Sequence, residues 1–163
     1  MASQIITLVG VLLGAVTSFF ATTLAERAKF RQALATRWDE RKLDTYVEYV
    51  SCVKEAARAA GRVLEAREQG DDPSETLAEM EAAETRRSVL FEGLVLLAED
   101  AASEAAATAN ERLWALLKCA REPAGVPAAR RNELGPALID ALNSLHKAAR
   151  ADLTIGKSWS AGR

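Results

Sequence analysis

The chain contains one histidine, His146, and two cysteines, Cys52 and Cys119. A di-iron carboxylate bundle needs two Glu-x-x-His pairs, and the residue three before His146 is Asn143. Zinc needs three or four His, Cys or carboxylate ligands, and neither cysteine has a neighbour of that kind in the sequence. The cysteines stand in no CxxC and read as small buried thiols of a reducing compartment. Nucleophilic catalysis wants a Ser, Cys or Thr beside a base, and no GxSxG elbow occurs. No Walker loop or GxGxxG precedes a helix. The acidic residues alternate with arginine along helix faces, the pattern of a solvated surface. The expectation is a protein that is not an enzyme, with no catalytic, cofactor-binding or metal-binding residues and no cofactor.

The one patterned set of residues lies near the N-terminus. At about 100° per residue, Thr7, Gly10, Gly14, Thr17, Ser18, Ala21, Thr22 and Ala25 fall within a helical sector of roughly 140°. Ile5, Leu8, Val9, Leu12, Leu13, Val16, Phe19, Phe20 and Leu24 occupy the rest, with Val11 intruding among the small residues and Ala15 and Thr23 among the large or at their edge. Gly10 and Gly14 form a GxxxG, continued at the same spacing by Ser18 and Thr22. Lipid gives helices no hydrophobic reason to associate, so close backbone approach at small residues and short hydrogen bonds must supply it. Gly10, Gly14, Thr17, Ser18, Ala21 and Thr22 are therefore the expected oligomerisation face of a homo-oligomer. A second use of the same Thr/Ser/Gly face is to line a small oligomeric, holin-like pore.

That face needs a membrane to act in. From Ala2 to Ala25 no residue is charged, a run of 24, and a spanning helix needs about 20. A cleaved signal peptide would carry Lys or Arg ahead of its apolar stretch, and only Met1-Ala2-Ser3-Gln4 stand there. Arg27, Lys29, Arg31, Arg37, Arg41 and Lys42 follow directly, so the positive-inside rule puts the N-terminus outside and the rest of the chain in the cytoplasm. Arg27, Lys29, Arg31 and Trp38 are the expected membrane-interface residues, with membrane lipid as their partner. Arginine outnumbers lysine 15 to 6 among the 21 basic residues, and alanine is frequent, a bias of GC-rich bacterial genomes; the expected location is the bacterial inner membrane. A formal net charge of −2 offers no basic field for nucleic acid.

The expected organisation is a transmembrane anchor over 1–26, a helical domain over 27–156 and a tail over 157–163. No Gly or Pro interrupts Ala15 to Ala60, so the anchor continues into a long first helix ending near Gly70. Its apolar stripe is Leu43, Tyr46, Val47, Val50, Val53, Ala57, Ala60 and Leu64. Asp72, Pro73 and Glu75 form a capping box for a second helix with Met80, Ala83, Leu90, Phe91, Leu94, Val95 and Leu97 as core. Glu99-Asp100 followed by Ser103-Glu104 marks a reversal capped at Ser103, or one helix runs through. A third helix presents Ala106, Ala109, Leu113, Leu116, Leu117 and Ala120, with Trp114 in the core. After the Pro123–Pro127 break, a fourth carries Leu134, Leu138, Ala141, Leu142, Leu145, Ala148 and Leu153, kinked or restarted at Gly135-Pro136 and ending at Gly156. No stretch alternates as a strand does, so the expected fold is all-α: a transmembrane helix continuing into an antiparallel four-helix cytoplasmic bundle.

Three stretches, Arg37-Trp38-Asp39-Glu40-Arg41-Lys42-Leu43-Asp44-Thr45-Tyr46, Val95-Leu96-Leu97-Ala98-Glu99-Asp100 and Ala151-Asp152-Leu153-Thr154-Ile155-Gly156, together with the anchor, resemble a broad group of uncharacterised bacterial proteins with one N-terminal span and a helical cytoplasmic domain. The resemblance implies that architecture and brings no activity and no site residues. The function expected is a membrane-anchored interaction or scaffold module that self-associates and binds an unidentified cytoplasmic protein partner.

Overall fold

The computed structural model describes the backbone of residues 2–153 and the side chains of residues 26, 29–30, 33–34 and 36–153. Its elements are α1 (Ala2–Gln69), α2 (Ser74–Leu97), α3 (Asp100–Arg121), a single 3₁₀ turn at Pro123–Gly125, and α4 (Ala128–Asp152). No strand occurs among the described residues. The chain divides into two compact units, Met1–Glu40 and Arg41–Arg163. Among the described residues no helix is long and apolar enough to cross a membrane. The expected span over 5–25 and the tail over 157–163 lie outside the residues whose side chains are described.

The second unit is a helical bundle. Glu55 pairs with Arg86 and Arg62 with Glu79, so α1 and α2 run antiparallel. Arg87 reaches Asn110 and Arg121 reaches Glu81, which sets α2 against α3 in the same sense. Lys42 meets Asp152 at the far end of α4, while Tyr49 reaches Ala106 and Arg67 reaches Arg121, so α1 lies antiparallel to α4 and parallel to α3.

One seam repeats in every helix. Lys42, Tyr46, Tyr49, Val53, Ala56, Ala60 and Val63 are buried in α1, at alternating spacings of four and three. Ala102, Ala106, Ala109, Leu113, Leu116 and Ala120 do the same in α3, and Leu138, Leu142, Leu145, Ala149 and Asp152 in α4. In α2, Met80, Glu84, Arg87 and Leu94 are buried, with Phe91 partly so. A repeat averaging 3.5 residues is the knobs-into-holes pattern of shallow-angle bundles. Of the α1 stripe expected from apolar identity, Tyr46, Val50, Val53 and Ala60 are buried and Ala57 and Leu64 pack against the core, but Leu43 and Val47 are 41% and 56% exposed, while Lys42, Tyr49, Ala56 and Val63 also face inward. Seam geometry outranks side-chain type at those positions.

The termini follow local chemistry. Gly70 has φ +78°, and Asp71 N–H bonds Ala66 O (2.8 Å) while Gly70 N–H bonds Arg67 O (3.4 Å). This is the Schellman pair, and it needs the left-handed residue that glycine supplies. Asp72 Oδ1 accepts from both the N–H (3.0 Å) and the hydroxyl (2.6 Å) of Ser74. Pro73 itself stands at the N-cap of α2, with no side-chain cap bond, so the expected capping box of Asp72 and Glu75 does not form; the Ser74 bonds instead hold the Asp72 carboxyl below its ordinary range. The chain does reverse between α2 and α3, through extended residues Ala98 and Glu99. Helix α3 begins at Asp100, so Ser103 lies inside it and donates its N–H to Glu99 O (2.9 Å) instead of capping. Helix α4 neither restarts nor stops at Gly135-Pro136; Pro136 sits inside it. Both Pro136 and Asn132, whose carbonyl loses its helical donor there, are exposed, and water takes the place of the missing N–H. Helix α4 ends at Asp152, not at Gly156.

The core residues make a first prediction. Leu94 and Leu142 are 1% and 5% exposed, and truncation removes burial and leaves a cavity. Leu94→Ala or Leu142→Ala should each cost about 2–5 kcal/mol, measured by urea unfolding of the full chain in detergent. Near-neutral effects at both would refute the core assignment.

Candidate functional site

Two polar clusters occupy seam positions that apolar residues normally fill. In the first, Asp152 receives Lys42 Nζ on Oδ1 (2.6 Å) and Tyr46 OH on Oδ2 (2.6 Å), with the Glu99 N–H at 3.4 Å from Oδ2. The three donors come from α1 and the α2–α3 turn, and the acceptor from the last residue of α4. Burial opposes ionisation of Asp152, but the bonds from Lys42, Tyr46 and Glu99 and the charge of Lys42 outweigh it and hold the carboxyl below its ordinary value. Burial, followed by the bond to Asp152 and its negative charge, raises the Tyr46 hydroxyl well above the usual tyrosine range. Both carboxylate oxygens are engaged, so the group is built as a clamp and presents no free acid or base to a substrate. The three stretches quoted above converge on it: one supplies Lys42 and Tyr46, the second Glu99, the third Asp152.

The second cluster lies deeper. Arg87 donates through Nε and Nη2 to both oxygens of Glu84 (2.8 Å each) and through Nη1 to Asn110 of α3. Tyr49 donates to Ala106 O at 3.3 Å, and its ring centroid is 6.0 Å from that of Phe91. Burial pushes the Tyr49 hydroxyl up to about 12, against the lowering influence of the Arg87 charge. Among the described residues every buried side-chain nitrogen and oxygen has a hydrogen-bond partner.

Surface features are fewer. A groove of about 770 Å³ runs between α1 and α4, floored by Leu43, Tyr46, Val47, Val50, Leu145 and Leu153 and edged by Lys54, His146 and Arg150. His146 is half-buried there, in mid-helix and not at a helix end. A second groove, about 830 Å³, lies between α3 and α4 around Arg112, Lys118, Glu122, Arg130 and Glu133, with its charges mixed. Trp114 is not core: it is 47% exposed, with the Arg121 guanidinium 5.6 Å above its ring. Arg121 also holds Glu81 through Nε (2.7 Å) and Nη2 (2.9 Å), which keeps the Glu81 carboxyl below its ordinary value.

Of the residues singled out from sequence, Gly10, Gly14, Thr17, Ser18, Ala21 and Thr22 lie outside the residues with described side chains, as do Arg27 and Arg31. Lys29 is exposed and Trp38 is 53% exposed. In the first unit Phe30, Leu34 and Trp38 repeat at four-residue spacing, all at least half exposed. Cys52 and Cys119 are free and buried; Cys52 Sγ donates to Ala83 O at 3.2 Å, and burial raises both thiols. Among the described residues no group of three or more His, Cys, Asp or Glu gathers as a metal site would. Sequence reasoning missed both polar clusters; counting the three-four repeat through Tyr46 and Val53 would have put Lys42 and Tyr49 inward. No family model, curated protein or solved structure matches this chain.

Proposed function

We propose that the chain is a single-span membrane protein whose N-terminal run anchors a helical interaction module, one that self-associates and binds a cytoplasmic protein partner. The carrying observation is the charge-free run of 24 residues followed at once by a basic cluster, the arrangement that fixes a span with its C-terminal side in the cytoplasm. The unbroken helical backbone of α1, Ala2–Gln69, supports an anchor that continues into the module. Exposed Phe30, Leu34 and Trp38 beside Lys29 support an amphipathic contact with the lipid interface, where aromatic and basic side chains are enriched. The module carries a surface groove with a largely apolar floor between α1 and α4, and apolar grooves of this kind are where partner helices dock. The likeness to bacterial single-span helical proteins belongs to this same reading.

Reporter fusions at Arg163 test the topology: cytoplasmic reporter activity is expected, and periplasmic activity or recovery of the chain in the soluble fraction overturns it. Crosslinking in membranes tests self-association through the span, where Gly10→Ile with Gly14→Ile should shrink the oligomer. An oligomer of unchanged size removes the GxxxG face from the proposal. A ring with Thr17 and Thr22 open to water would move the reading to a pore.

A further inference from the structure

The bundle exposes a ridge as well as a groove. On α2, Val89 and Leu96 are 72% and 84% exposed, far beyond what their side chains favour in water. Seven residues separate them, two turns of helix, so they project the same way about 10.5 Å apart. Glu92 is exposed between them, and the three side chains fall within a sector of about 60°. That sector faces away from Met80 and Leu94, both fully buried residues of the same helix.

The α1–α4 groove has the opposite character. Its floor is largely apolar, and the charged or titratable residues lining it are Tyr46, Lys54, His146 and Arg150, with no carboxylate. Along α1 it extends from Leu43 to Lys54, eleven residues or about 16 Å of helix, longer than the span between the two ridge anchors. Within one bundle the ridge cannot enter this groove, because Val89 and Leu96 point outward from α2 while the groove lies between α1 and α4.

We propose that the α2 ridge of one copy, Val89, Glu92 and Leu96, seats in the α1–α4 groove of a second copy. Leucine and valine then anchor on the apolar floor as a helix does in a helix-binding groove, and Glu92 meets the basic edge. This deepens the self-association proposed above by adding a contact between bundles to the one in the span. Ridge and groove are unlike surfaces, and each copy offers one of each, so the contact is completed either reciprocally about a two-fold axis or by extension into rings and chains.

The pairing of unlike surfaces gives a test that the span contact does not imitate. Full-length chains carrying Leu96→Cys or Val89→Cys are mixed in detergent with chains carrying Val47→Cys, and thiols are oxidised, with the wild type as control for Cys52 and Cys119. A disulfide-linked dimer is expected in the mixtures and not in either variant alone. Glu92→Lys on the ridge chain should lower its yield about tenfold, the effect of losing one good anchor, and Lys54→Glu with Arg150→Glu on the groove chain should restore it. Crosslinking of Leu96→Cys with itself, no product in the mixtures, or a yield indifferent to charge reversal overturns the proposal. The same mixtures in a Gly10→Ile, Gly14→Ile background separate the two contacts. There the product should persist, and its loss would assign it to crowding within a span oligomer and overturn the bundle contact. Unchanged oligomer size with the product retained would remove the span face and leave this proposal standing.

Discussion

Asp152→Asn is expected to destabilise the bundle by about 3–5 kcal/mol, because it leaves a buried ammonium without its counter-charge. Lys42 and Asp152 have side chains only 10% and 2% exposed, so solvent does not replace the lost partner. The amide keeps an acceptor for Tyr46 but removes the charge that makes burial of Lys42 tolerable. The triple replacement Lys42→Met, Tyr46→Phe, Asp152→Leu should by contrast be near neutral or stabilising, since well-packed apolar groups carry no desolvation cost. Urea unfolding of the full chain in detergent, followed by circular dichroism, measures both. If Asp152→Asn costs less than about 1 kcal/mol, the value typical of an exposed pair, the clamp is solvated and the argument fails.

The same pair gives a pH dependence with a definite sign. The folded-state value of Asp152 is lowered, so its contribution is fully present above the unfolded value of about 3.9 and is lost as pH falls through the lower folded value. The gap in stability between wild type and Asp152→Asn should therefore be constant near neutrality and close as the medium is acidified below about pH 4. A gap that widens on acidification would mean that the carboxylate is not the group stabilised by folding.

How legible these features are in the sequence depends on what each helix asks of its residues. The four helical segments of the bundle, the Gly70 stop and the Asp72–Ser74 turn are local: glycine, aspartate and proline fix backbone geometry within a few residues, and the sequence displays them. The α3 seam is also legible, because Ala106, Ala109, Leu113, Leu116, Leu117 and Ala120 are apolar by type and buried in fact. The α1 seam is legible only in part: Tyr46, Val53 and Ala60 are inward as their type suggests, but Lys42 is buried by a partner 110 residues away. Read by type alone, Leu43 and Val47 draw the stripe toward the open groove, and Lys42 counts as one more charge in a basic cluster. Glu84 and Arg87 mislead in the same way: spaced three apart on a helix, they look like a surface pair until the aligned α3 is present. Trp114 errs in the other direction, since the Arg121 guanidinium covers a ring that hydrophobicity alone would send inward.

Arg87→Met should cost about 3–5 kcal/mol, the scale for breaking a buried ion pair by removing one member. Arg87 is 3% exposed in its side chain and Glu84 12%. The two form a fork-to-fork pair with both bonds at 2.8 Å, the geometry in which guanidinium and carboxylate bind most strongly. The third arm of the guanidinium reaches Asn110 and so ties α2 to α3. Methionine keeps much of the volume of the stem but strands the Glu84 carboxylate and the Asn110 amide oxygen inside the bundle. Two surface pairs that link α2 to α1 serve as internal controls: Arg62–Glu79 and Arg86–Glu55 have side chains half exposed or more, and Arg86→Met or Glu79→Gln should change stability by about 1 kcal/mol or less. The buried pair shares their guanidinium–carboxylate chemistry but adds burial and the two-bond fork, and the contrast reads those two together. Adding Glu84→Leu to Arg87→Met removes the stranded charge and should recover most of the loss, a coupling that a double-mutant cycle reads directly. If Arg87→Met and Arg86→Met proved equal, or if Glu84→Leu only added to the damage, the seam would owe its register to packing of Met80, Phe91 and Leu94 alone.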